Sequence, residues 1–260
     1  MILDLRGRTV LVCGATDGIG KATARAFAQS GASVVAFARS EEKLAALLLE
    51  LQGSGHEAVV ADFDEPIDVR KAIRNRLDRR GVIDVIVNNS GGPPGGPLAD
   101  ADPEAFRIAM NRLLLSGHEI VRVCLPGMKE RRFGRIINII STSVRQPLDN
   151  LGVSNTIRSA TSAWAKTLSR EVAEFGVTVN NVLPGATATQ RLATIIENTA
   201  KRTGKSVEEV ETDMIGEVPM KRFARPEEIA GGVVFLASEQ ASYITGINLT
   251  IDGGRTRALL

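Results

Sequence analysis

The sequence predicts an α/β fold, a single Rossmann-type domain whose doubly wound parallel sheet is flanked by helices on both faces. Short apolar segments, typical of strands buried in a parallel sheet, alternate with helical segments along the chain. A glycine-rich turn follows the first apolar segment and precedes a helical pattern. The 260 residues suit one large α/β domain, and no linker divides the predicted domain, 1–260, into two.

The first half of the chain alternates strand and helix in a regular order. Each predicted strand is a short apolar run, as expected for a strand that is covered on both faces. The first helix ends just before Gly31, because glycine at that position favours the end of a helix. The elements predicted here are the strands 9–13, 33–37, 58–61 and 82–87 and the helices 18–30 and 41–51.

The second half continues the alternation, and such repeated β-α units give right-handed crossovers and a doubly wound sheet. The segment Gly91–Pro97 is rich in glycine and proline, and we interpret it either as a loop at the ligand edge of the sheet or as a simple turn. The regular elements predicted here are the strands 135–140, 177–182 and 247–251 and the helices 103–131, 153–175 and 226–237, with a polar helical segment at 189–217.

The composition argues against several classes of function. Lys and Arg total 32 against 30 Asp and Glu, and a net charge of +2 gives no reason to expect nucleic acid or an anionic membrane as a partner. Two cysteines and two widely separated histidines indicate neither a disulfide framework nor a metal site. Neither a signal peptide nor an apolar run long enough to cross a bilayer is recognisable. We therefore expect a cytoplasmic protein that acts on a small molecule.

The glycine-rich turn at residues 14–20 is the strongest functional signal. Its glycines let the backbone turn sharply and come close to a pyrophosphate, while the next helix directs its free N–H groups toward the phosphates. The turn lies between a strand and a helix, which is the position that this motif requires. The sequence therefore predicts a dinucleotide site formed by Gly14, Thr16, Asp17, Gly18, Ile19 and Gly20.

The end of the second strand bears on which dinucleotide is bound. An acidic side chain there would bond the ribose hydroxyls of NAD and repel a 2′-phosphate. This chain has Ala38 instead, followed by Arg39 and Ser40, and a guanidinium suits a phosphate. The sequence thus favours NADP(H) over NAD(H), although an Arg39 that only stacks on adenine would select neither.

Several ordered motifs resemble those of the short-chain dehydrogenase/reductase family, in particular its 3-oxoacyl-acyl-carrier-protein reductases, over almost the whole chain. Asn88-Asn89-Ser90-Gly91 resembles the family's Asn-Asn-Ala-Gly motif, and Asp252-Gly253-Gly254 resembles the end of its C-terminal signature. Cys13 replaces the threonine that opens the family's glycine motif. The resemblance implies further cofactor contacts from Asp62, Phe63, Asn89, Ser90, Gly91, Arg158, Pro184, Gly185, Thr187 and Thr189.

The chain departs from this family at the catalytic positions. The family places a tyrosine thirteen residues after a serine, and a lysine four residues after that tyrosine. Ser141 matches the serine, but Ser154 and Arg158 stand at the other two positions. A serine hydroxyl is a far weaker acid than a phenol, and arginine stays protonated, although it can still hold the nicotinamide ribose. The catalytic candidates are therefore Ser141, Ser154, Arg158 and the helix residue Asn111.

This departure leaves several functions open. We expect an NADP(H)-dependent oxidoreductase for a carbonyl, hydroxyl or enone group, with a water held by Ser141, Ser154 and Asn111 as one source of the proton. Conjugate alkene reduction is an alternative, because the family's dienoyl-CoA reductases also have the serine, although they keep the lysine. Halohydrin dehalogenases of this fold have the arginine but keep the tyrosine. A lyase, an isomerase and a non-catalytic NADP(H)-binding sensor or assembly partner complete the alternatives.

Residues 189–218 resemble the family's substrate lid, because they are helical, polar and follow the nicotinamide-binding segment. The apolar side chains of this segment would either line a pocket or pack the lid against the body, and they are Ile195, Ile196, Met214 and Ile215. The resemblance also implies a homo-oligomer, a dimer or a tetramer, formed through the helices at 103–131 and 153–175.

Overall fold

The computed structural model describes residues 3–259 and contains a seven-stranded parallel sheet. The strands are β1 Thr9–Cys13, β2 Ser33–Ala38, β3 Glu57–Val60, β4 Val85–Asn88, β5 Gly134–Ile139, β6 Val177–Pro184 and β7 Asn248–Ile251. The α-helices are α1 Gly18–Gln29, α2 Glu41–Glu50, α3 Pro66–Arg80, α4 Pro103–Met110, α5 Ser116–Glu130, α6 Gly152–Val172, α7 Gln190–Thr203, α8 Val207–Gly216 and α9 Pro226–Ala237. The predicted α/β fold class is confirmed. The predicted domain also includes Met1, Ile2 and Leu260, which lie outside the described residues.

The order of the strands reverses between β1 and β4. The sheet runs β3-β2-β1-β4-β5-β6-β7, so the chain leaves β1 toward one edge and returns at β4 toward the other. Loops that leave the carboxyl ends of two such strands diverge and open a crevice. Asn89, which follows β4, donates a hydrogen bond of 3.1 Å from Nδ2 to the carbonyl of Cys13 at the end of β1. The crevice at this edge is therefore the expected location of a ligand site.

Two apolar layers attach the helices to the two faces of the sheet. In one layer, Val10 and Val12 of β1 pack with Phe27 of α1 and Val233 of α9. In the other, Leu11 of β1 belongs to a cluster with side chains of α3, α5 and α6. Because successive residues of a strand point to opposite faces, a strand between two such layers must be apolar throughout. This explains the continuous apolar runs of the sequence.

Helix α3 is missing from the sequence-based prediction, which has no element between residues 61 and 82. Most of its side chains are charged or polar, and only Val69, Ile73 and Arg76 are buried. Arg76 can be buried because its Nε donates to Glu57 at 2.8 Å and its Nη1 donates to the carbonyl of Gly81 at 2.6 Å. In a sequence, an arginine is normally taken as a residue exposed to solvent. Without it, the buried face of α3 has too few apolar residues to show a helical period.

The predicted helix at 103–131 is interrupted. Between α4 and α5, residues Asn111–Leu115 form a π-helical turn, which leaves backbone carbonyls free to accept other hydrogen bonds. Ser90 Oγ donates to the carbonyl of Arg112 at 3.0 Å, and Thr161 Oγ1 donates to that of Leu113 at 3.2 Å. The turn therefore connects the loop after β4 with α6 beside the crevice.

The polar segment at 189–217 forms α7 and α8. Ile196 is buried and packs with Leu192 and Val210, and Met214 packs against this group. These contacts join α7 to α8, and Ala186 and Phe223 from outside the segment pack against the same group, so Ile196 and Met214 lie in a small apolar core of the segment and its immediate neighbours. Ile195 and Ile215 are half-buried. Within residues 3–259, no helix combines the length and the apolar character needed to cross a membrane.

A row of asparagine side chains crosses the sheet from β4 to β7. Asn88 donates to Asn138, Asn138 to Asn181, and Asn181 to Asn248, each from Nδ2 to Oδ1 at 2.8–2.9 Å. The four residues are paired in register on neighbouring strands, which brings their amides into line. The two central amides, Asn138 and Asn181, are buried and depend on their neighbours in the row for hydrogen bonds.

Replacing Asn138 with alanine is expected to lower the free energy of unfolding by about 3 kcal/mol, because it leaves the Nδ2 of Asn88 and the Oδ1 of Asn181 without partners. Urea denaturation followed by circular dichroism measures the change. The control is Asn75→Ala on the exposed side of α3, which should be close to neutral. An unchanged urea midpoint for Asn138→Ala would show that the row contributes no stability.

Candidate functional site

The turn at residues 14–20 has room for phosphate oxygens because glycine occupies three of its seven positions. Gly14 and Gly18 have positive φ angles of 59° and 49°, which side chains rarely tolerate. A Cβ atom on Gly20 would lie 2.0 Å from the carbonyl oxygen of Gly14. The backbone is therefore left bare beside the N-terminus of α1, and the turn fits the pyrophosphate of a dinucleotide.

Asp17 caps helix α1. Its Oδ1 accepts a hydrogen bond of 2.7 Å from the N–H of Gly18, so one of the free N–H groups of the turn is already used. The turn around it is completed by Thr16 and Ile19. The remaining N–H groups of the first helical turn are left for a bound anion.

The segment that follows β6 lies against the glycine-rich turn at residues 14–20, which is called the phosphate cradle below. A Cβ atom on Gly18 would lie 3.0 Å from the side chain of Thr189, so the two segments face each other closely. Gly185, which follows Pro184, is itself tightly packed, since a Cβ there would lie 2.7 Å from Asp252 Cα. Thr187 donates to the carbonyl of Gly185 at 3.0 Å.

The residues assigned to the adenosine end lie at the carboxyl ends of β2 and β3. Arg39 is 70% exposed at its side chain, and its Nη1 lies 3.4 Å from Asp62 Oδ2. Ser40 caps α2 by accepting the N–H of Lys43 at 3.3 Å. Phe63 packs edge-to-face on Phe37, with ring centroids 5.2 Å apart. Arg39 is therefore free to turn toward a ligand, whereas Ser40 and Phe63 are fixed by their neighbours.

The loop after β4 borders the middle of the crevice. Asn89 and Ser90 are held there by the hydrogen bonds to Cys13 and Arg112 described above. Gly91 is exposed, and a Cβ atom on it would meet no atom within 4 Å. This loop therefore lies between the phosphate cradle and α6 along the candidate site.

Three of the four catalytic candidates come together at the ends of β5 and α6. Arg158 donates from Nε to Ser154 Oγ at 3.1 Å and from Nη1 to the carbonyl of Ile140 at 2.7 Å. Ile140 directly precedes Ser141, whose Oγ accepts the N–H of Ser143 at 3.1 Å. Each serine oxygen thus accepts one N–H, and each hydroxyl hydrogen stays available to donate to a substrate oxygen.

Asn111 is placed differently from these three residues. Its Nδ2 donates at 3.1 Å to the carbonyl of Asp64, in the loop after β3. The adjacent Arg112 forms an ion pair with the Asp64 carboxylate, and this hydrogen bond lowers the pKa of that carboxyl, against the opposing effect of burial. Asn111 and Arg112 together therefore fix the loop beside Asp62 and Phe63.

Two arginines of the site were not identified from the sequence, Arg112 and Arg191. Arg191 lies in the first turn of α7 and donates from Nη2 to the carbonyl of Pro93 at 2.6 Å. Burial, followed by the charge of Arg191, lowers the pKa of Arg158 to about 10. The signal that could have found them was adjacency in the chain, since Arg112 follows the candidate Asn111 and Arg191 comes two residues after the candidate Thr189.

The sequence has relatives over nearly its full length. Residues 14–256 match a family model described as enoyl-(acyl carrier protein) reductase. The 3-oxoacyl-[acyl-carrier-protein] reductase FabG of Vibrio cholerae is 34% identical over 254 residues, which cover 97% of this chain and 98% of the relative.

Solved structures agree with this chain in fold as well. The L-sorbose reductase of Gluconobacter frateurii, determined in complex with NADPH and L-sorbose, is 30% identical and gives a TM-score of 0.93 over 100% of both chains. YwfH, an NADPH-dependent reductase involved in bacilysin biosynthesis, is 28% identical and gives a TM-score of 0.92 over 97% of this chain and 99% of its own.

Proposed function

The chain belongs to the short-chain dehydrogenase/reductase family, and we propose that it is an NADP(H)-dependent oxidoreductase with an atypical catalytic site at Ser141, Ser154 and Arg158. Its substrate is a carbonyl or enone compound, or the corresponding alcohol in the reverse direction. The observation that carries the proposal is the position of Arg158, whose guanidinium joins Ser154 to the end of β5 beside Ser141. A cation that bonds to one serine hydroxyl and lies beside a second serine is suited to a substrate oxygen that gains negative charge.

The residues along the crevice suit the successive parts of NADP(H). The turn at Gly14–Gly20 would hold the pyrophosphate, Arg39 the 2′-phosphate of the adenosine, and the segment Pro184–Thr189 the nicotinamide. When bound, NADPH supplies the two electrons of the reduction as a hydride. YwfH is NADPH-dependent and the L-sorbose reductase was solved with NADPH bound, which supports the same cofactor for this chain.

The residues of this chain would supply the proton and stabilise the charge. Reduction of a carbonyl places a hydride on carbon and a proton on oxygen, and the substrate oxygen would accept hydrogen bonds from Ser141 and Ser154. Arg158 has a pKa of about 10, lowered by burial and by Arg191, so it remains a cation at neutral pH. The proton would pass from Ser154 to the substrate oxygen and be replaced from water, while Arg158 stabilises the transient negative charge.

The first test of this function separates binding from turnover. We expect saturable binding of NADPH, measured by the fluorescence of the nucleotide, and weaker binding of NADH. We also expect NADPH oxidation, followed at 340 nm, with at least one member of a panel of ketones, oxo acids and enones. NADPH binding without any turnover would instead identify a non-catalytic NADP(H)-binding protein, and no binding of either nucleotide would exclude both functions.

Replacing Arg39 with alanine is expected to raise the Kd for NADPH about 10-fold, because the charge-assisted hydrogen bonds to the 2′-phosphate are lost. The Kd for NADH should change little. Arg80→Ala at the exposed end of α3 removes the same charge elsewhere and should leave both constants unchanged. Equal effects of Arg39→Ala on NADPH and NADH would contradict the assigned role in nucleotide choice.

We also propose that the chain forms a homodimer or homotetramer through α4, α5 and α6. Ile108 on α4 and Leu115 before α5 are apolar side chains that are more than one-third exposed, as expected of a face covered by a second copy. Light scattering coupled to gel filtration gives the mass directly, and a monomer at micromolar concentration would contradict this proposal. The cytoplasmic location stays a prediction.

A further inference from the structure

Two guanidinium groups converge beside Gly92 at the mouth of the crevice. A Cβ atom on Gly92 would lie 3.2 Å from Nη2 of Arg158 and 3.7 Å from Nη2 of Arg191. The two cations come from different elements, α6 and the first turn of α7, and both reach the same point. Glycine at position 92 leaves this point open.

Unlike Arg112 and Arg39, these two arginines have no carboxylate partner among residues 3–259. Arg112 is paired with Asp64, and Arg39 lies beside Asp62. The remaining polar contacts of Arg158 are the Ser154 hydroxyl and backbone carbonyls, and Arg191 contacts the carbonyl of Pro93. Burial and then the charge of Arg191 lower the pKa of Arg158, while burial and then the charge of Arg112 lower the pKa of Arg191. Two like charges held together without a counter-charge favour the binding of an anion.

We propose that Arg158 and Arg191 form a subsite for an oxyanion of the substrate, a carboxylate or a phosphate attached close to the reacting carbonyl. This inference rests on the proposed function, since it names the substrate class of the same site. Arg158 bonds to Ser154 through Nε and presents Nη2 to the space beside Gly92, so the oxyanion lies next to the oxygen that is reduced. An oxo acid in which one or two bonds separate the carboxylate from the carbonyl has this spacing.

The second cation of the subsite is carried by the lid segment. Arg191 lies in the first turn of α7 and keeps part of its side chain in contact with solvent, while Arg158 belongs to the body of the domain and is half-buried. An oxyanion that bonds to both therefore joins the lid to the body. Such a contact orients the substrate and favours the closed site when the correct substrate is present.

Matched substrates test the charge requirement. Acetoacetate and its methyl ester contain the same ketone, and only the acid carries the anion; dihydroxyacetone phosphate and dihydroxyacetone provide the phosphate pair. We expect kcat/KM of the wild type to be at least about 10-fold higher for one of the anions than for its neutral partner. Calorimetric binding of the same four compounds to the NADP-saturated protein gives a readout that does not require turnover.

Two variants locate the effect at the subsite. Arg191→Gln removes one cation, and Gly92→Ala fills the space between the two, so each should reduce the preference for the anion about 10-fold. The matched controls are Arg202→Gln, on the exposed side of the same helix, and Gly96→Ala, where a Cβ meets no atom within 4 Å. Both controls should keep the wild-type preference, and NADPH binding should be equal in all five proteins.

The possible results separate this inference from the proposed function. Turnover of neutral and anionic ketones with equal kcat/KM would overturn the oxyanion subsite and leave the reductase standing. Anion binding that is lost in Arg191→Gln, in a protein that does not oxidise NADPH, would support the subsite and refute the reductase. A weaker NADPH Kd in Arg191→Gln with unchanged substrate preference would show that the cation serves the nucleotide phosphates, which also overturns the inference.

Discussion

Replacing Gly20 with alanine is expected to raise the Kd for NADPH about 100-fold, which corresponds to about 2.7 kcal/mol of binding free energy. The added methyl carbon would lie 2.0 Å from the carbonyl oxygen of Gly14 and 2.8 Å from Nδ2 of Asn89. Both contacts are with parts of the cradle itself, so the turn must move away from the position that brings its N–H groups to the phosphates. Titration of nucleotide fluorescence measures the change.

A second glycine variant separates lost binding from lost folding. Gly231→Ala in α9 adds the same methyl group where no atom lies within 4 Å, so its Kd for NADPH should equal that of the wild type. Its thermal stability should rise slightly, because alanine favours a helix more than glycine. If Gly20→Ala has the circular dichroism spectrum of the wild type and binds NADPH equally tightly, the phosphate cradle is assigned to the wrong turn.

Replacing Ser154 with alanine is expected to lower kcat by about 100-fold, the usual loss when one hydrogen-bond donor to a developing oxyanion is removed. The reason is specific to this site, because Ser154 is buried and accepts its hydrogen bond from Arg158, so its own hydrogen is left for the substrate. KM should change much less than kcat, since the interaction strengthens mainly in the transition state. Steady-state kinetics with the best substrate of the carbonyl panel measures both.

The control for this variant is Ser159→Ala on the same helix. Ser159 is exposed, so the same chemical change there should leave kcat within about two-fold of the wild type. NADPH binding should be nearly unchanged in both variants. A Ser154→Ala protein with full activity would mean that the proton reaches the substrate by another route and that Ser154 only packs beneath Arg158.

The sheet and the cradle could be predicted from the sequence because their signals are local. Residues 10–13 of β1 are apolar because both faces of the strand are covered, and the glycine-rich turn follows immediately. Helix α3 could not be predicted, because its buried face includes Arg76, whose partners Glu57 and Gly81 are only brought together by the fold. The interruption at Asn111–Leu115 likewise depends on contacts from Ser90 and Thr161.

The residues of the candidate site were likewise only partly predictable from the sequence. Ser141, Ser154 and Arg158 are found by their spacing in the chain, and their contacts explain why an arginine follows a serine by one helical turn. The side chain of Asn111, chosen together with them, faces Asp64 instead. Arg191 belongs to a segment that is distant in sequence, and only its approach to Gly92 relates it to Arg158. A pair of cations from separate elements has no sequence signature.

The most direct test of the central claim is the transfer of deuterium from NADPH that carries deuterium at both hydrogens of the nicotinamide C4. The protein is incubated with the labelled cofactor and each compound of the carbonyl panel, and the products are analysed by mass spectrometry. We predict an alcohol or a saturated ketone that carries one deuterium, formed by the wild type and nearly absent with Ser154→Ala. Saturable NADPH binding without deuterium in any product would contradict the assignment of a reductase and leave a nucleotide-binding protein.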